Sequence, residues 1–488
     1  MRRMQFPDDP REDTPGSEGG GPADGAAGAR PGRGDAGAGS NPRQVDEPIA
    51  SPETGGWEQP SASPSAWVGF WPHRDPPTAE EVGRSIAGWV GREVKAEPAD
   101  LDDEGMFWAM LVEIPGVTSP VVFWAERALP ADPSQLPDPA MAACTWVIGM
   151  QTMLEPGEAS EEFFHLMAML SGSMPDLAGV LDVANARRWP RKELEEQFLA
   201  ADAVPNDEHL WTITAVADRD DDDAPMMLFT TGLARCGLPE LEILEFPSRH
   251  SQAAAILVNH VASLLLESPP PPPFERMEVG PDTFVALVPW QSCAQYMDDG
   301  TPGSRAFREI AAQHGDGSLT GVRAVICSPE RRGQFRKVWA WPKETIERME
   351  DGRAVLFASE RSAAATERRA QRTWPAFATA FASVRRSERP EVAALAGTAF
   401  HVQSGVGSVD AEDRREQGWF IVKGFDHDVV EAALSEEPVT AEGMHAGDVV
   451  RIPRAGVTDW RVILPEEMFG PDRSGALLEA IDRLRGYA

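Results

Sequence analysis

The sequence predicts a multidomain α+β protein: mostly antiparallel sheets with packed helices, a small β-rich C-terminal module and a disordered N-terminal tail. Three observations lead there. Apolar runs of strand length and helix-period stretches follow one another irregularly, not in a strict β-α-β rhythm. At 488 residues the chain is longer than one core normally organises. Its composition changes near residue 65, at the five consecutive prolines Pro269 to Pro273, and again after about residue 391. The expected units are a tail over 1–65, an α+β domain over 66–268, a second α+β domain over 274–391 and a β-rich module with a closing helix over 396–488.

The tail is rich in Gly, Pro, Ala, Asp, Glu and Ser, and so poor in apolar residues that burial cannot offset the entropy of ordering it. Order is expected from Ala66 to Pro72, a short apolar strand. Thr78 and Glu81 form a capping-box pattern that opens a helix running to Gly91. Phe107 to Ile114, Pro120 to Trp124 and Cys144 to Met153 read as strands. Phe163, Phe164, Met167 and Leu170 fall at helical spacing and form a core stripe. Leu177 to Val183 reads as a strand, and Pro190 suits the first turn of a helix reaching Phe198.

The densest stretch runs from Leu210 to Glu267. It reads as a strand to Ala217, an acidic turn Asp218 to Asp223, a strand Met226 to Thr230, a glycine loop, a strand Glu242 to Phe246 and a helix capped by Ser248. After the prolines come a hairpin around Gly280-Pro281, a helix Ser304 to Gln313, strands Val322 to Ile326 and Phe335 to Trp341, and a helix Lys343 to Met349. A strand Ala354 to Ala358 and a helix Ser362 to Val384 follow, the latter kinked or split at Pro375. Five short strands between Ala399 and Leu464 suggest a barrel-like module, closed by a helix carrying Leu477, Leu478, Ile481 and Leu484.

Bulk properties exclude several classes. Apolar residues make up 42% and charged residues 25%, an ordinary globular balance. The formal net charge of −33 argues against non-specific binding to nucleic acid or anionic membrane. No apolar run reaches membrane-spanning length, and Met1-Arg2-Arg3-Met4-Gln5 is followed by no apolar core of a secretory signal. Cys144, Cys236, Cys293 and Cys327 are far apart in sequence, so neither a zinc knuckle nor a disulfide framework is signalled, and a cytoplasmic location is expected.

Several groups invite chemistry. Gly232 and Gly237, followed by Pro239, could let backbone amides approach an anion, or simply turn the chain tightly. Glu240 and Glu242 point to one face of a strand, as a proton-sharing or metal-holding pair or, the favoured reading, as solvated surface acids. Arg235 beside Cys236 could lower the thiol pKa, but no histidine is signalled near it, and a structural cysteine is favoured. The Asp218 to Asp223 cluster lacks calcium-loop spacing. His250 and His260 lie too far apart on one helix to share a metal. Asp426-His427-Asp428 reads as an exposed turn, the four Trp-Pro tryptophans as core, and Arg368, Arg369, Arg372, Arg385 and Arg386 as a solvated helix face. No nucleotide-binding, zinc-protease or nucleophile-elbow motif is present.

Gly418-Trp419-Phe420-Ile421-Val422, Gly447-Asp448-Val449-Val450-Arg451-Ile452 and Val457-Thr458-Asp459-Trp460 resemble a small bacterial domain-of-unknown-function family, number twenty-three-fourteen. Gly232-Leu233 and Gly237-Leu238-Pro239-Glu240-Leu241-Glu242 resemble a second uncharacterised bacterial family, number forty twenty-six. Members of the second usually carry a histidine where this chain has Thr230. The resemblance implies an architecture, and by analogy with small domains encoded beside toxins an immunity or regulatory role. The resulting expectation is a non-enzymatic binding protein with a protein partner and no cofactor, metal, nucleic acid or membrane. Its weak binding candidates are Gly232, Arg235, Gly237, Glu240, Glu242, Asp459 and Trp460. The alternative is a hydrolase-like enzyme using the Gly232 to Glu242 loop, with Glu240 and Glu242 as acid/base or metal ligands.

Overall fold

The structure, a computed structural model, describes residues 62–99, 105–128, 138–200, 203–217, 224–294, 296–314, 317–332, 336–351, 356, 359–406, 416–438, 441, 443–465 and 467–486. Expectations for the tail up to residue 61, for the Asp218 to Asp223 turn and for most of the strand Ala354 to Ala358 lie outside them.

The fold is α+β, built on three sheets. The first holds β1 (Ser65–Trp71), β2 (Lys95–Pro98), β3 (Met106–Glu113), β4 (Val121–Arg127), β5 (Trp146–Thr152), β6 (Gly179–Asp182) and β7 (Arg187–Pro190), in the order β2-β3-β4-β5-β1-β6-β7. All its neighbours are antiparallel. The helix Ala79–Val90 opens as its sequence predicts: Thr78 Oγ1 accepts from the Glu81 amide at 3.2 Å, and the Glu81 carboxylate accepts from the Thr78 amide at 2.8 Å. This box satisfies two otherwise orphaned donors. The helix Ala159–Ser173 buries Phe163, Met167 and Leu170 of the expected stripe, with Leu166, while Phe164 is only partly buried against the same core.

The second sheet holds β8 (Thr212–Ala217), β9 (Pro225–Thr231), β10 (Glu240–Pro247), β11 (Arg276–Gly280), β12 (Thr283–Pro289) and β13 (Arg323–Arg332), in the order β11-β12-β13-β10-β9-β8, with β14 (Arg336–Ala340) paired to β13. Its one parallel pair, β10 with β13, joins strands from opposite sides of the five-proline run. The boundary expected between 268 and 274 therefore falls inside a sheet. A stiff extended proline segment can link two halves of one layer as readily as two domains. The helix Ser251–Glu267 lies on this sheet through Leu257, Val258, Val261 and Leu265. Ser248 does not cap it. Ser248 opens a short 3₁₀ turn to His250 instead. One continuous core runs from Trp67 to Ile346 and joins both sheets.

The third sheet holds β15 (Phe400–Val406), β16 (Glu416–Phe425), β17 (Val429–Leu434), β18 (Val449–Pro453), β19 (Val457–Ile463) and β20 (Met468–Phe469), in the order β18-β17-β16-β15-β19-β20. Among the described residues its end strands do not pair, so the module is an open sheet rather than the barrel expected. The helices Glu360–Arg385 and Ser474–Arg485 pack with it to form a second core around Trp374, Phe377, Phe381, Phe400 and Trp460. Of the kink or split expected at Pro375, the split does not occur: the long helix is continuous through it. Its first turn is held by side chains on two helices that pack into the first core: the Arg361 amide donates to Glu267 at 2.5 Å and the Arg361 guanidinium to Glu161 at 2.5 Å. From Ala370 onward its buried side chains belong to the second core. The helix thus joins the two cores, and the unit expected to end at residue 391 is divided between them.

An aromatic cluster in the first core encloses His209. Its ring centroid lies 4.9 Å from Trp189, 5.5 Å from Phe198 and 6.5 Å from Phe163. Burial, and then the charges of Arg187 and Arg369, hold its imidazole well below the usual 6.5. A histidine kept neutral in the fold but free to protonate when unfolded contributes stability that is intact above pH 6.5 and is lost as the pH falls. Thermal unfolding scans from pH 7 downward are expected to show Tm falling below 6.5. His209→Phe should flatten that slope, by up to about 1.4 kcal/mol per pH unit. An unchanged slope would mean that other groups govern the acid sensitivity.

Candidate functional site

The glycine loop joins β9 to β10. Gly232 turns it with φ 123° and ψ −18°, a 3₁₀ turn covers Leu233–Cys236, and Gly237 follows in the left-handed region at φ 70°. A Cβ on Gly232 would stand 2.3 Å from the Leu210 carbonyl oxygen, whereas a Cβ on Gly237 would meet nothing closer than 3.9 Å. Gly232→Ala is therefore expected to unfold the loop or lower stability by about 3 kcal/mol or more, through backbone clash added to strain. Gly237→Ala should cost only about 1 kcal/mol. Chemical denaturation of the two variants measures this, and equal losses would contradict it.

The acids of this loop are not solvated, and the expectation of a wet surface pair is overturned. Glu240 and Glu242 do share one strand face, but that face also carries Phe229, Leu244, Val288 and Val325 and is packed over by Trp290, Phe307 and Leu319. The Glu240 carboxylate clasps the loop: it accepts from Thr230 Oγ1 at 2.7 Å, from the Gly232 amide at 2.8 Å and from the Ala234 amide at 3.1 Å. Thr230 Oγ1 in turn accepts from the Leu241 amide at 2.7 Å. The residue at the position where a histidine was expected thus ties the two strands together.

Glu242 is fully buried between two arginines. Arg308 donates to it from both terminal nitrogens, at 3.0 and 2.5 Å, and Arg323 donates through Nε. The remaining donors are also used. Arg308 Nε reaches the Gly303 carbonyl at 2.9 Å, and Arg323 reaches the carbonyls of Ser318 at 2.7 Å and Thr230 at 3.1 Å. Arg308 and Arg323 lie 4.4 Å from the Trp290 ring and 5.3 Å from the Phe229 ring.

Arg235 is equally sealed. It makes two bonds, 2.9 and 2.5 Å long, to Asp182 at the end of β6, and both side chains are wholly inaccessible to solvent. Burial pushes the Asp182 carboxyl up, and the Arg235 charge and hydrogen bonds oppose it. Cys236 is buried, and desolvation pushes its thiol up to about 12, so Arg235 does not activate it as a nucleophile. The structural reading of this cysteine fits.

Asp459 and Trp460 lie elsewhere, in the C-terminal sheet. The Asp459 carboxylate accepts from the Trp460 amide at 2.7 Å. Trp460 is fully buried in the second core, and its indole donates to Thr373 at 3.0 Å. The structure therefore brings Gly232, Arg235, Gly237, Glu240 and Glu242 into one region and leaves Asp459 and Trp460 apart from it.

His250 contacts Glu350 at 2.7 Å and His260 the Val279 carbonyl at 3.1 Å. Among the described residues no group of three His, Cys, Asp or Glu side chains is placed to hold a metal. Sequence reasoning missed Asp182, Arg308 and Arg323, whose partners lie 53, 66 and 81 residues away. It also missed a cysteine pair: Cys293 packs beside Cys327, and the hydrogen bond between the two side chains, with burial, drives the Cys327 thiol well above its ordinary value.

Residues 213–320 match the family model described as "Protein of unknown function (DUF4026) C-terminal". The match crosses the five-proline run, in keeping with a sheet that spans it, and takes in Glu240, Glu242 and Arg308. No curated protein and no solved structure matches the chain.

Proposed function

We propose that this chain is a cytoplasmic, non-catalytic binding protein of the regulatory or immunity kind, and that its partner is a basic protein. The observation that carries this reading is the closure of the central loop. Asp182, Arg235, Glu240, Glu242, Arg308 and Arg323 hold one another or the backbone, so that none of these six groups is turned toward a substrate. Such groups act as scaffolding that stiffens a surface. The formal charge of −33 favours a partner of opposite sign and rapid, salt-sensitive association. We also read the C-terminal sheet as a relative of family twenty-three-fourteen, carried by Gly447-Asp448 and Asp459-Trp460. Among the described residues no helix is long and apolar enough to cross a membrane.

The test is isolation of the tagged full chain from the cells that make it, at low and high salt, followed by purification of any stoichiometric companion and direct titration of the two. A basic protein that binds one-to-one, and less tightly as salt rises, supports the reading. Recovery of no stoichiometric companion overturns it, as does hydrolytic turnover that Glu240→Gln abolishes.

A further inference from the structure

A cleft of about 330 Å³ opens where the helix Glu360–Arg385 begins, against the helix Ala159–Ser173 and the turn Asp207–His209. Its polar lining is Ser160, Glu161, Asp207, Glu360, Arg361 and Arg368, and the small side chains of Ala364 and Ala365 leave the space open. Among the described residues, Arg361 Nε is buried with no hydrogen-bond partner, and Ser160 Oγ and Asp207 lie against each other with nothing else on them. Buried polar atoms are normally fully satisfied, so these groups on one cleft call for an explanation. Arg361 spends its terminal nitrogens on the Gly157 carbonyl at 2.7 Å and on Glu161 at 2.5 Å. Burial pushes the Asp207 carboxyl above its usual value, while Ser160 and Arg361 beside it act the other way. Glu360 and Arg368 are exposed and make no ion pair among the described residues.

The lining has unused groups of both signs. A simple anion would meet Asp207 and Glu360, and a simple cation would meet Arg368 and the inner edge of Arg361. A molecule carrying both charges satisfies all of them. We propose that this cleft binds a small zwitterion of the amino acid class. Its ammonium group lies toward Asp207, Ser160 and Glu360, and its carboxylate toward Arg368 and Arg361 Nε. The volume is at the small end for ligand sites, which suits a single amino acid rather than a nucleotide or a peptide. The site shares no hydrogen bond with the glycine loop's charge network, although Asp207 and Arg361 lie near enough to act on Cys236 of that loop, and the proposal stands whether or not the partner of the chain is a protein. Because the cleft lies where the long helix leaves the first core, an occupant bridges the helix to the residues that hold its first turn.

The test uses the purified full chain with each of the common amino acids, and with acetate and methylammonium as singly charged controls, read by Tm and by calorimetric titration. At least one amino acid should raise Tm and bind saturably, and the controls should not. Arg368→Ala, on an exposed position, should keep the unliganded Tm and weaken binding by about tenfold or more. Asp207→Asn should do the same for the ammonium end. If Asp207→Asn does not fold, Arg368→Ala decides alone. The proposal is overturned if no amino acid binds, if acetate or methylammonium binds equally well, or if Arg368→Ala leaves the affinity unchanged.

Discussion

Glu242→Ala is expected to lower the unfolding free energy by about 3–5 kcal/mol, since removing the acid leaves two buried guanidinium groups uncompensated. For a core of this size the loss corresponds to a fall in Tm on the order of 10 °C. The reason is positional. Glu242 is wholly buried, and among the described residues Arg308 and Arg323 have no alternative carboxylate partner in their hydrogen bonds, only the carbonyls they already use. Glu242→Gln should fall between, because the amide keeps the volume and one acceptor but not the charge. The control is Glu80→Ala. Glu80 pairs with Arg84 at 2.7 Å on the surface, and its loss should stay within about 0.5 kcal/mol. Equal stability of Glu242→Ala and the wild type in urea would show that the triad is not closed in solution.

Asp182 and Arg235 should give a second large effect with a different signature. Either single substitution, Asp182→Ala or Arg235→Met, strands a charge in the first core and is expected to cost about 3–5 kcal/mol. The double variant should recover most of that, because Arg235 lies 5.9 Å from the Trp67 ring and 5.6 Å from the Phe163 ring, an apolar shelf that Met can occupy. A double-mutant cycle reads the coupling directly. Additive losses would mean that the two groups do not form a closed pair.

The particular elements show what a sequence can reveal about this fold. The Thr78 and Glu81 box, the Phe163-to-Leu170 stripe and the hairpin at Gly280-Pro281 rest on local chemistry, and each was legible. The burial of Glu240 and Glu242 was not. Period-2 spacing places two acids on one face, but whether that face meets water depends on Arg308, Arg323 and the layer around Phe229, all brought in by distant segments. The proline run misled for a related reason. Stiff composition reports local chain shape, whereas domain limits follow from which strands pair, and β10 pairs with β13 across it. Cys293 and Cys327 are far apart in sequence, and only the tertiary fold sets them side by side. Pro375 does not split its helix, and its neighbours Trp374 and Phe377 are buried in the second core.

The β10–β13 pairing makes the proline segment a tether and not a seam. A protease site engineered into it should yield a nicked protein whose two pieces co-elute on gel filtration, since each keeps half of a hydrogen-bonded layer and part of one apolar interior. Produced separately, pieces ending at 268 and starting at 274 should each aggregate, and regain native circular dichroism only on mixing. The chain can be cut here and reassembled, but neither piece is complete alone.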